Sequence, residues 1–476
     1  MLAKEALEID GQQTRRGQLL VMGGDEVYPI ASGQNYHQRL LDPYRWAFPD
    51  VKSYADHGIS VCCIPGNHDW YDGLVSFLAI FARHQRLRMG GWRSAQLRSY
   101  FALQLTDKWW IWCTDTQLDD EIDQPQRDYF AAIAERMPES SKIILCGPEP
   151  GWLYTEKSTS SLEILEFVIS IAKSARRHHC VPILLSGDTH HYSRYYAAGT
   201  ETHFITSGGG GAFLHPTHHL KDSIELRWLN RPTTLSLLTD PQADHAPTGK
   251  PACYPAREES KRLLNGDIWF WKQNVGFSFL LGIVYWIFAM VLIARHYLDA
   301  YIIVFMFLTG GMLAYFGYQE GFKRLKIWIA AFLHATAHYG AIVALTLLFE
   351  QINTDKFVLE GIWLWFFALG FEIVPTGLIV GGFIFGVFLL ITCRWFDMNH
   401  NDAFSAMRLD CYRHFLRLRI KENEVTIFPI GLDEVPKRNE WRINPNWIGD
   451  DAAEPAYYAV SEFPPHLIER PIVVRA

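Results

Sequence analysis

The chain has 476 residues, with 44 Lys and Arg against 51 Asp and Glu, a formal charge of -7. That length exceeds one ordinary domain and points to two or three units, and so mild a charge excludes a nucleic-acid partner of the usual basic kind. The 8 cysteines show no CxxC pair and no repeated spacing, which excludes a disulfide framework and reads as reduced thiols facing the cytosol.

The opening stretch MLAKEALEIDGQQTRRG is charged and lacks the apolar segment of a signal peptide; it reads as the tail of a helix. Residues 1–240 then read as an α/β domain. Short apolar runs end in Gly, Asp and Asn loops (QLLVMGGD, GISVCCIPGN, WWIWCTD, KIILCG, VPILLSGD, THFITSGGGG), with helical stretches such as SSLEILEFVISIAKSARRHH between them. Residues 241–268, rich in Pro and polar side chains, read as a linker.

From 269 to 394 the composition changes. The uncharged run 275–294 is long enough to cross a hydrocarbon core of about 30 Å. Further apolar runs follow at 301–318, 327–349 and 361–393, the last broken only by Glu372. It reads either as one tilted helix or as two short elements meeting at VPTG. The basic QEGFKRLK and the arginines after Cys393 place those segments on the cytoplasmic side, which requires an even number of spans, about four, with five as the rival. The 17 Trp suit a chain with membrane–water boundaries. His334, His338 and Glu372 fall at membrane depth, where ionisable groups are costly; they would pair, bind a metal or line a polar pocket, or the histidines would simply bond backbone or Tyr hydroxyls. Residues 395–476 form a polar tail with an Arg-rich start, read as a solvated or headgroup-facing surface, and then EVTIFPIGLDEV, partly strand.

Three loops carry the chemistry: GGDEVYP at 23–29, GNHDW at 66–70 and SGDTHHYSRY at 186–195. Each follows an apolar strand-like run, and each offers metal-type donors: a carboxylate, a carboxamide oxygen or an imidazole. The run SGGGG ahead of His215, His218 and His219 lets backbone pass close to such a site.

The order GDxxY, GNHD, GDxHHY resembles the calcineurin-like metallophosphoesterases over roughly residues 15–225, and its Tyr variant looks like that of purple acid phosphatases. DTQLDDEIDQPQRDYF, 115–130, is similar to that family's Asp-bearing strand end followed by a Gln-bearing helix. The whole arrangement is similar to a bacterial group of membrane-attached phosphoesterase-like proteins. The resemblance implies a four-layer α/β/β/α sandwich, then a helical transmembrane domain and a small cytoplasmic tail. It implies two divalent or trivalent metal ions (Mn, Fe or Zn), which clamp the attacking and leaving oxygens of a phosphate ester. Asp25 would bridge them, with Tyr28, Asn67, Asp188 and His190 as the other metal ligands. His68 would protonate the leaving oxygen, and Asp69 would hold the His68 ring. The Tyr28 phenolate would favour Fe(III).

The chain departs from the family pattern at three places. The family's first Asp-bearing strand has no counterpart, since Asp10 lies too close to Asp25, and the chain reads as starting inside the first helix. Pro148 stands where a ligand His is expected, with Glu149 adjacent. Asp188 replaces the first His of the closing motif, which suits harder metals. The expected function is hydrolysis of a phosphomonoester or phosphodiester at the cytoplasmic face of a bacterial inner membrane, with the lipid bilayer as the other partner. The alternative is a catalytically degenerate binding or regulatory membrane protein.

Overall fold

The computed structural model describes residues 1–48, 59–83, 87–94, 96–116, 121–156, 158–240, 250–294, 310–311, 324–355, 361–447, 449 and 454–475. The chain forms two compact units: Met1–Arg257 together with Asp410–Ala476, and Glu258–Leu409. Where the sequence suggested boundaries at 240, 268 and 394, the contacts divide the chain after 257 and after 409, and the last 67 residues join the first unit.

The first unit is mixed α/β. One sheet of nine strands contains β7 (Phe101–Gln104), β8 (Trp109–Cys113), β9 (Lys142–Gly147), β10 (Cys180–Ser186), β11 (Tyr192–Ala197), β12 (Thr202–Ser207), β13 (Ser223–Trp228), β14 (Arg231–Leu237) and β15 (Cys253–Tyr254). Its order is β13-β14-β11-β12-β10-β9-β8-β7, with β15 beside β11. The pairs β8–β9, β9–β10 and β10–β12 are parallel. A second sheet has the order β3 (Leu19–Met22), β4 (Ile59–Cys63), β6 (Trp92–Ser94), β5 (Leu87–Met89), with β3–β4 and β4–β6 parallel.

Parallel strands are covered on both faces, hence the near-continuous apolar runs IILC and ILL in β9 and β10. One core lies between the large sheet and its helices α2 (Gln124–Arg136) and α3 (Ser160–Ser174). The apolar stripe of α3, Leu162, Leu165, Val168, Ile169 and Ala172, follows the helical period and is buried there. Another core joins Tyr36, Phe77 and Phe81 to Val61 and Cys63 of the small sheet. A third gathers Cys62 and Ile64, Ile111, Ile144, Ile183 and Ile205, and Val425, Ile427, Ile472 and Val474 from the C-terminal segment.

That third core gives the C-terminal segment its place. β16 (Arg413–Lys421) and β17 (Glu424–Leu432) form a hairpin, and β18 (His466–Leu467) and β19 (Ile472–Arg475) pair with β17. Residues 413–421 of the Arg-rich stretch are therefore a strand, in which Arg417 is buried, Arg413 half-buried and Arg419 exposed. Arg417, 8% exposed, donates to the carbonyls of Met1, Lys4 and Thr14 and to the Thr14 hydroxyl.

The chain start is also not a helix tail. β1 (Ala6–Ile9) and β2 (Gln12–Arg15) form a hairpin around Asp10 and Gly11, whose φ values are 48° and 73°. A two-residue Asp-Gly turn with both φ positive matches the twist of a hairpin. The alternation of Leu7 and Ile9 buries both against Phe428 and Ile430. Asp10 accepts the Leu467 N–H at 2.7 Å.

Among the described residues the second unit holds three helices long and apolar enough to cross a membrane: α4 (Val275–Ala294), Leu325–Asp355 within α5 (Arg324–Asp355), and Ile362–Phe396, which includes α6 (Ile362–Ile391). The run 361–393 is thus one long helix through VPTG, with Pro375 inside it. The span expected at 301–318 falls, apart from residues 310–311, outside the described residues. Glycines set the packing of α6 on α4: a Cβ on Gly282 would stand 2.3 Å from the Val374 carbonyl oxygen, and one on Gly377 would stand 3.1 Å from Tyr285. Small residues let helix backbones approach this closely.

Candidate metal centre

β3 and β4 run parallel and end at the same level, so the loops after them emerge side by side. Gly24 has φ +116°, and a Cβ there would lie 3.1 Å from the Gly66 Cα. A Cβ on Gly66 would lie 2.3 Å from Asp25 Oδ1. Both glycines are what allow the two loops to touch. Asp25 has φ 55° and Asp188 φ 60°. Two carboxylates held in the left-handed region cost backbone energy, a pattern that collects at functional sites.

The loop after β4 enters a short helix, α1 (Asn67–Trp70). Asp25 Oδ1 accepts the His68 N–H at 2.9 Å. Asn67 Nδ2 donates to Tyr71 Oη at 3.1 Å, which turns its Oδ1 away as a free acceptor. Asp69 is fully buried and accepts from Gly66 N at 2.9 Å, from Glu26 N at 3.3 Å and from the Tyr36 hydroxyl. It ties the two loops together. The expected bond from Asp69 to the His68 ring is made instead by the Pro29 carbonyl, 2.7 Å from His68 Nδ1. A carbonyl only accepts, so Nδ1 carries a proton and Nε2 is the nitrogen left for other work.

The third loop follows β10. Tyr154 donates its hydroxyl to Asp188. His190 Nδ1 donates to the Phe213 carbonyl at 2.6 Å, and its ring stacks on His215 with centroids 4.1 Å apart. A backbone acceptor on one nitrogen is how metal-ligating histidines are usually oriented, with the other nitrogen presented as a lone pair. Phe213 is placed by the glycine run before it, and the C-terminal segment holds that run. Gly209 N donates to His414 Nε2 at 3.0 Å, and Arg413 donates to the Ala212 carbonyl. A Cβ on Gly209 would stand 2.1 Å from the His414 ring. The strand after His190 is tied the same way: Tyr192 and Arg194 both bond Glu469, and Arg194–Glu469 is a buried ion pair.

Asp25, Asn67, Glu149 and Asp188, with Gly24, Gly66 and Pro148, line one small pocket. Burial pushes the Asp25 carboxyl up to about 6, helped by repulsion from Asp69 and Asp188 and opposed by the His68 N–H. Burial also raises Asp188. It lowers His190 to about 4 and His215 well below the ordinary imidazole value, keeping both neutral. Oxygen donors that repel one another and neutral imidazoles with oriented lone pairs are what a hard cation needs. The donor set therefore fits a metal ion. Glu149 Oε2 accepts from Ser161 at 3.1 Å. Pro148 offers its ring to the pocket and its carbonyl to Gly187 N at 3.1 Å.

Tyr28 packs its ring on His68 and Phe213, with centroids 4.4 and 6.2 Å away; neither Tyr28 nor His190 is one of the residues lining the pocket. The similarity at 115–130 has a structural counterpart: Gln126 pairs with the backbone N–H and carbonyl of Asp115, and Asp115 accepts from Trp70 Nε1 at 2.9 Å. Sequence reasoning missed Tyr36, Tyr154 and His414. Tyr36 and Tyr154 sit in loops or short helices with no periodic signal, and His414 lies 205 residues from the glycine it holds.

In the second unit the histidines and the glutamate at membrane depth have separate partners. His338 Nδ1 meets the Tyr285 hydroxyl at 2.7 Å, and its ring meets His334 edge to face at 4.5 Å. His334 also packs on Phe385 and Phe388. Glu372 accepts from Asn353 Nδ2 at 2.9 Å.

No protein-family model and no curated protein matches the chain.

Proposed function

We propose that the chain is a membrane-anchored, metal-dependent phosphoesterase. The observation that carries this reading is the meeting of Asp25, Asn67 and Asp188, from three separate strand-end loops, around one pocket. The two sheets, with a core between them and helical cores outside each, support a metallophosphoesterase sandwich as its fold. The apolar helices and the basic segments after them support a bacterial inner membrane with this domain on the cytoplasmic face.

Asp25, Asn67, Asp188 and His190 would hold the metal, Mn, Fe or Zn, with Glu149 as a further oxygen donor where Pro148 offers none. When bound, such ions polarise the phosphoryl group and lower the pKa of a coordinated water. The protein supplies the rest. Asn67 is oriented by Tyr71, His190 by Phe213, and the loops by Asp69. His68, fixed through Nδ1 by Pro29, delivers a proton from Nε2 to the leaving oxygen when it is the imidazolium.

The rival reading, a phosphoesterase-like binding module without catalysis, rests on Pro148 in the pocket wall. Metal content and hydrolysis of p-nitrophenyl phosphate and its bis ester separate the two. The expected result is bound metal and turnover in the wild type, with turnover reduced about 10²–10⁴-fold in His68→Ala and metal content lowered together with turnover in Asn67→Ala. A folded wild-type protein with neither metal nor turnover overturns the enzyme.

A further inference from the structure

At the end of α6 the chain makes a second cluster of metal-type donors, remote in sequence from the loops above. The helix closes in a π-turn, Thr392–Phe396, and reverses through Asp397 and Asn399, both in the left-handed region at φ 60° and 56°. Asn399 Nδ2 bonds Thr392 Oγ1 at 3.0 Å, and Met398 N bonds the Thr392 carbonyl at 3.1 Å, which latches the reversal. Its effect is to bring His400, the first residue of α7 (His400–Met407), back onto Cys393.

Cys393 Sγ and His400 Nδ1 stand 3.2 Å apart. Two ligands of one tetrahedral zinc, a thiolate and an imidazole, stand about 3.6 Å apart, so a small opening admits an ion. His400 Nε2 lies 2.9 Å from Asp397 Oδ1. A carboxylate can only accept, so Nε2 carries the proton and Nδ1 turns its lone pair toward the sulfur. That carboxylate–histidine pairing fixes the tautomer a metal ligand requires.

A separate observation calls for a cation here. Asp267, in the 3-10 turn Leu264–Trp269, is 0% exposed, and among the described residues neither of its carboxylate oxygens has a hydrogen-bond partner. Burial pushes its carboxyl up to about 8. The turn is held on α6: Arg394 bonds Asn265 Oδ1 at 3.3 Å and the Lys261 carbonyl at 3.4 Å. Asp267 lies within electrostatic reach of Cys393. Unpaired, such a buried carboxyl holds its proton, and a divalent ion nearby lets it ionise.

We propose that Cys393 and His400 bind a borderline-soft divalent metal ion of the zinc class, with Asp397 orienting the imidazole and Asp267 balancing the charge. The thiol loses its proton as the ion enters, so binding strengthens as pH rises. Thiolate ligation makes this site spectroscopically distinct from the oxygen-and-imidazole pocket of the first unit.

The test is Co(II) titration of the full chain in detergent, read by the near-ultraviolet thiolate-to-cobalt charge-transfer band. The expected result is a band that saturates at one ion per chain, persists in Asp25→Asn and disappears in Cys393→Ser. His400→Gln and Asp397→Asn keep the sulfur and weaken binding, Asp397→Asn by about 10–100-fold. A folded wild-type protein that gives no band with excess Co(II), or a band that survives Cys393→Ser, overturns the proposal.

Discussion

The two units each contain a pair of imidazoles in contact, His190 with His215 tilted at 35° and His334 with His338 edge to face at 83°, with ring centroids 4.1 and 4.5 Å apart. Their partners differ. His190 Nδ1 faces a backbone carbonyl, which only accepts, so its tautomer is fixed and Nε2 is a committed lone pair. His338 Nδ1 faces the Tyr285 hydroxyl, which both donates and accepts, so either tautomer is served. The surroundings diverge as well: His190 follows Asp188 in the loop after β10 and meets Phe213 and His215, and the rings of Phe385 and Phe388 pack on His334. The same residue type is thus held in one tautomer, as a metal ligand requires, in one unit and packed among aromatic rings in the other, and the identity of one acceptor atom marks the difference.

The sharpest way to break this comparison is to exchange its members. His190→Ala is expected to cost at least about a hundredfold in metal affinity and turnover, because loss even of residues that only orient a ligand costs ten to a hundredfold. His338→Ala is expected to leave both unchanged. Equal effects from the two, measured by metal content and p-nitrophenyl phosphate hydrolysis, would erase the distinction.

Glu469→Ala strips the buried Arg194 of its partner. It is expected to lower the stability of the first unit by about 3–5 kcal/mol in chemical unfolding, while the helical content of the second unit persists. His414→Ala releases Gly209 and, through it, the carbonyl that fixes His190. The expected result is about a tenfold loss of metal affinity with the far-ultraviolet spectrum unchanged.

The pH dependence sharpens the comparison further. Asp25 has a raised carboxyl, about 6, so in the metal-free protein it favours folding below the ordinary carboxylate value and loses that contribution as pH rises through 6. His190, depressed to about 4, acts in the opposite sense: its contribution is present above the ordinary imidazole value and is lost as pH falls toward 4. The two offset between pH 4 and 6. Metal binding does not share that balance, since it needs Asp25 ionised. The rise in the Tm of the first unit on adding metal is therefore expected to fade below about pH 6 and to be absent at every pH in Asp25→Asn. The smallest effect belongs to Tyr285→Phe, which removes one bond between apolar helices: about 0.6 kcal/mol, visible in thermal unfolding and silent in metal content.

Much of the first unit can be read from local sequence. Apolar runs ending in Gly-Asp and Gly-Asn mark strand ends, and Asp25, Asn67 and Asp188 do come from such loops to one pocket. The opening hairpin was legible too, in the Asp10-Gly11 turn between alternating residues, but the charged composition around it suggested a helix. Long-range pairing was not legible. Nothing near Arg417 shows that it binds Met1, Lys4 and Thr14, and nothing near His414 points to Gly209. Those contacts exist because the chain returns after 409 to finish a core begun before 257. In the helical unit, composition shows which segments are apolar, whereas the glycine contacts that seat Gly282 against Val374 depend on which two helices meet.

That return also sets a timetable for biosynthesis. The first unit leaves the ribosome with Val61, Ile144 and Ile183 made but with Val425, Ile427, Ile472 and Val474 still to be translated. The intervening Glu258–Leu409 segment takes roughly 10–30 s to synthesise at ordinary elongation rates. Throughout that interval the nascent domain has an open apolar edge and its glycine loop lacks His414. The apolar helices are all translated before the pocket can reach its final geometry. An early release of the polypeptide therefore yields an unfinished domain, and the pocket is completed only in chains whose long apolar helices have already been made.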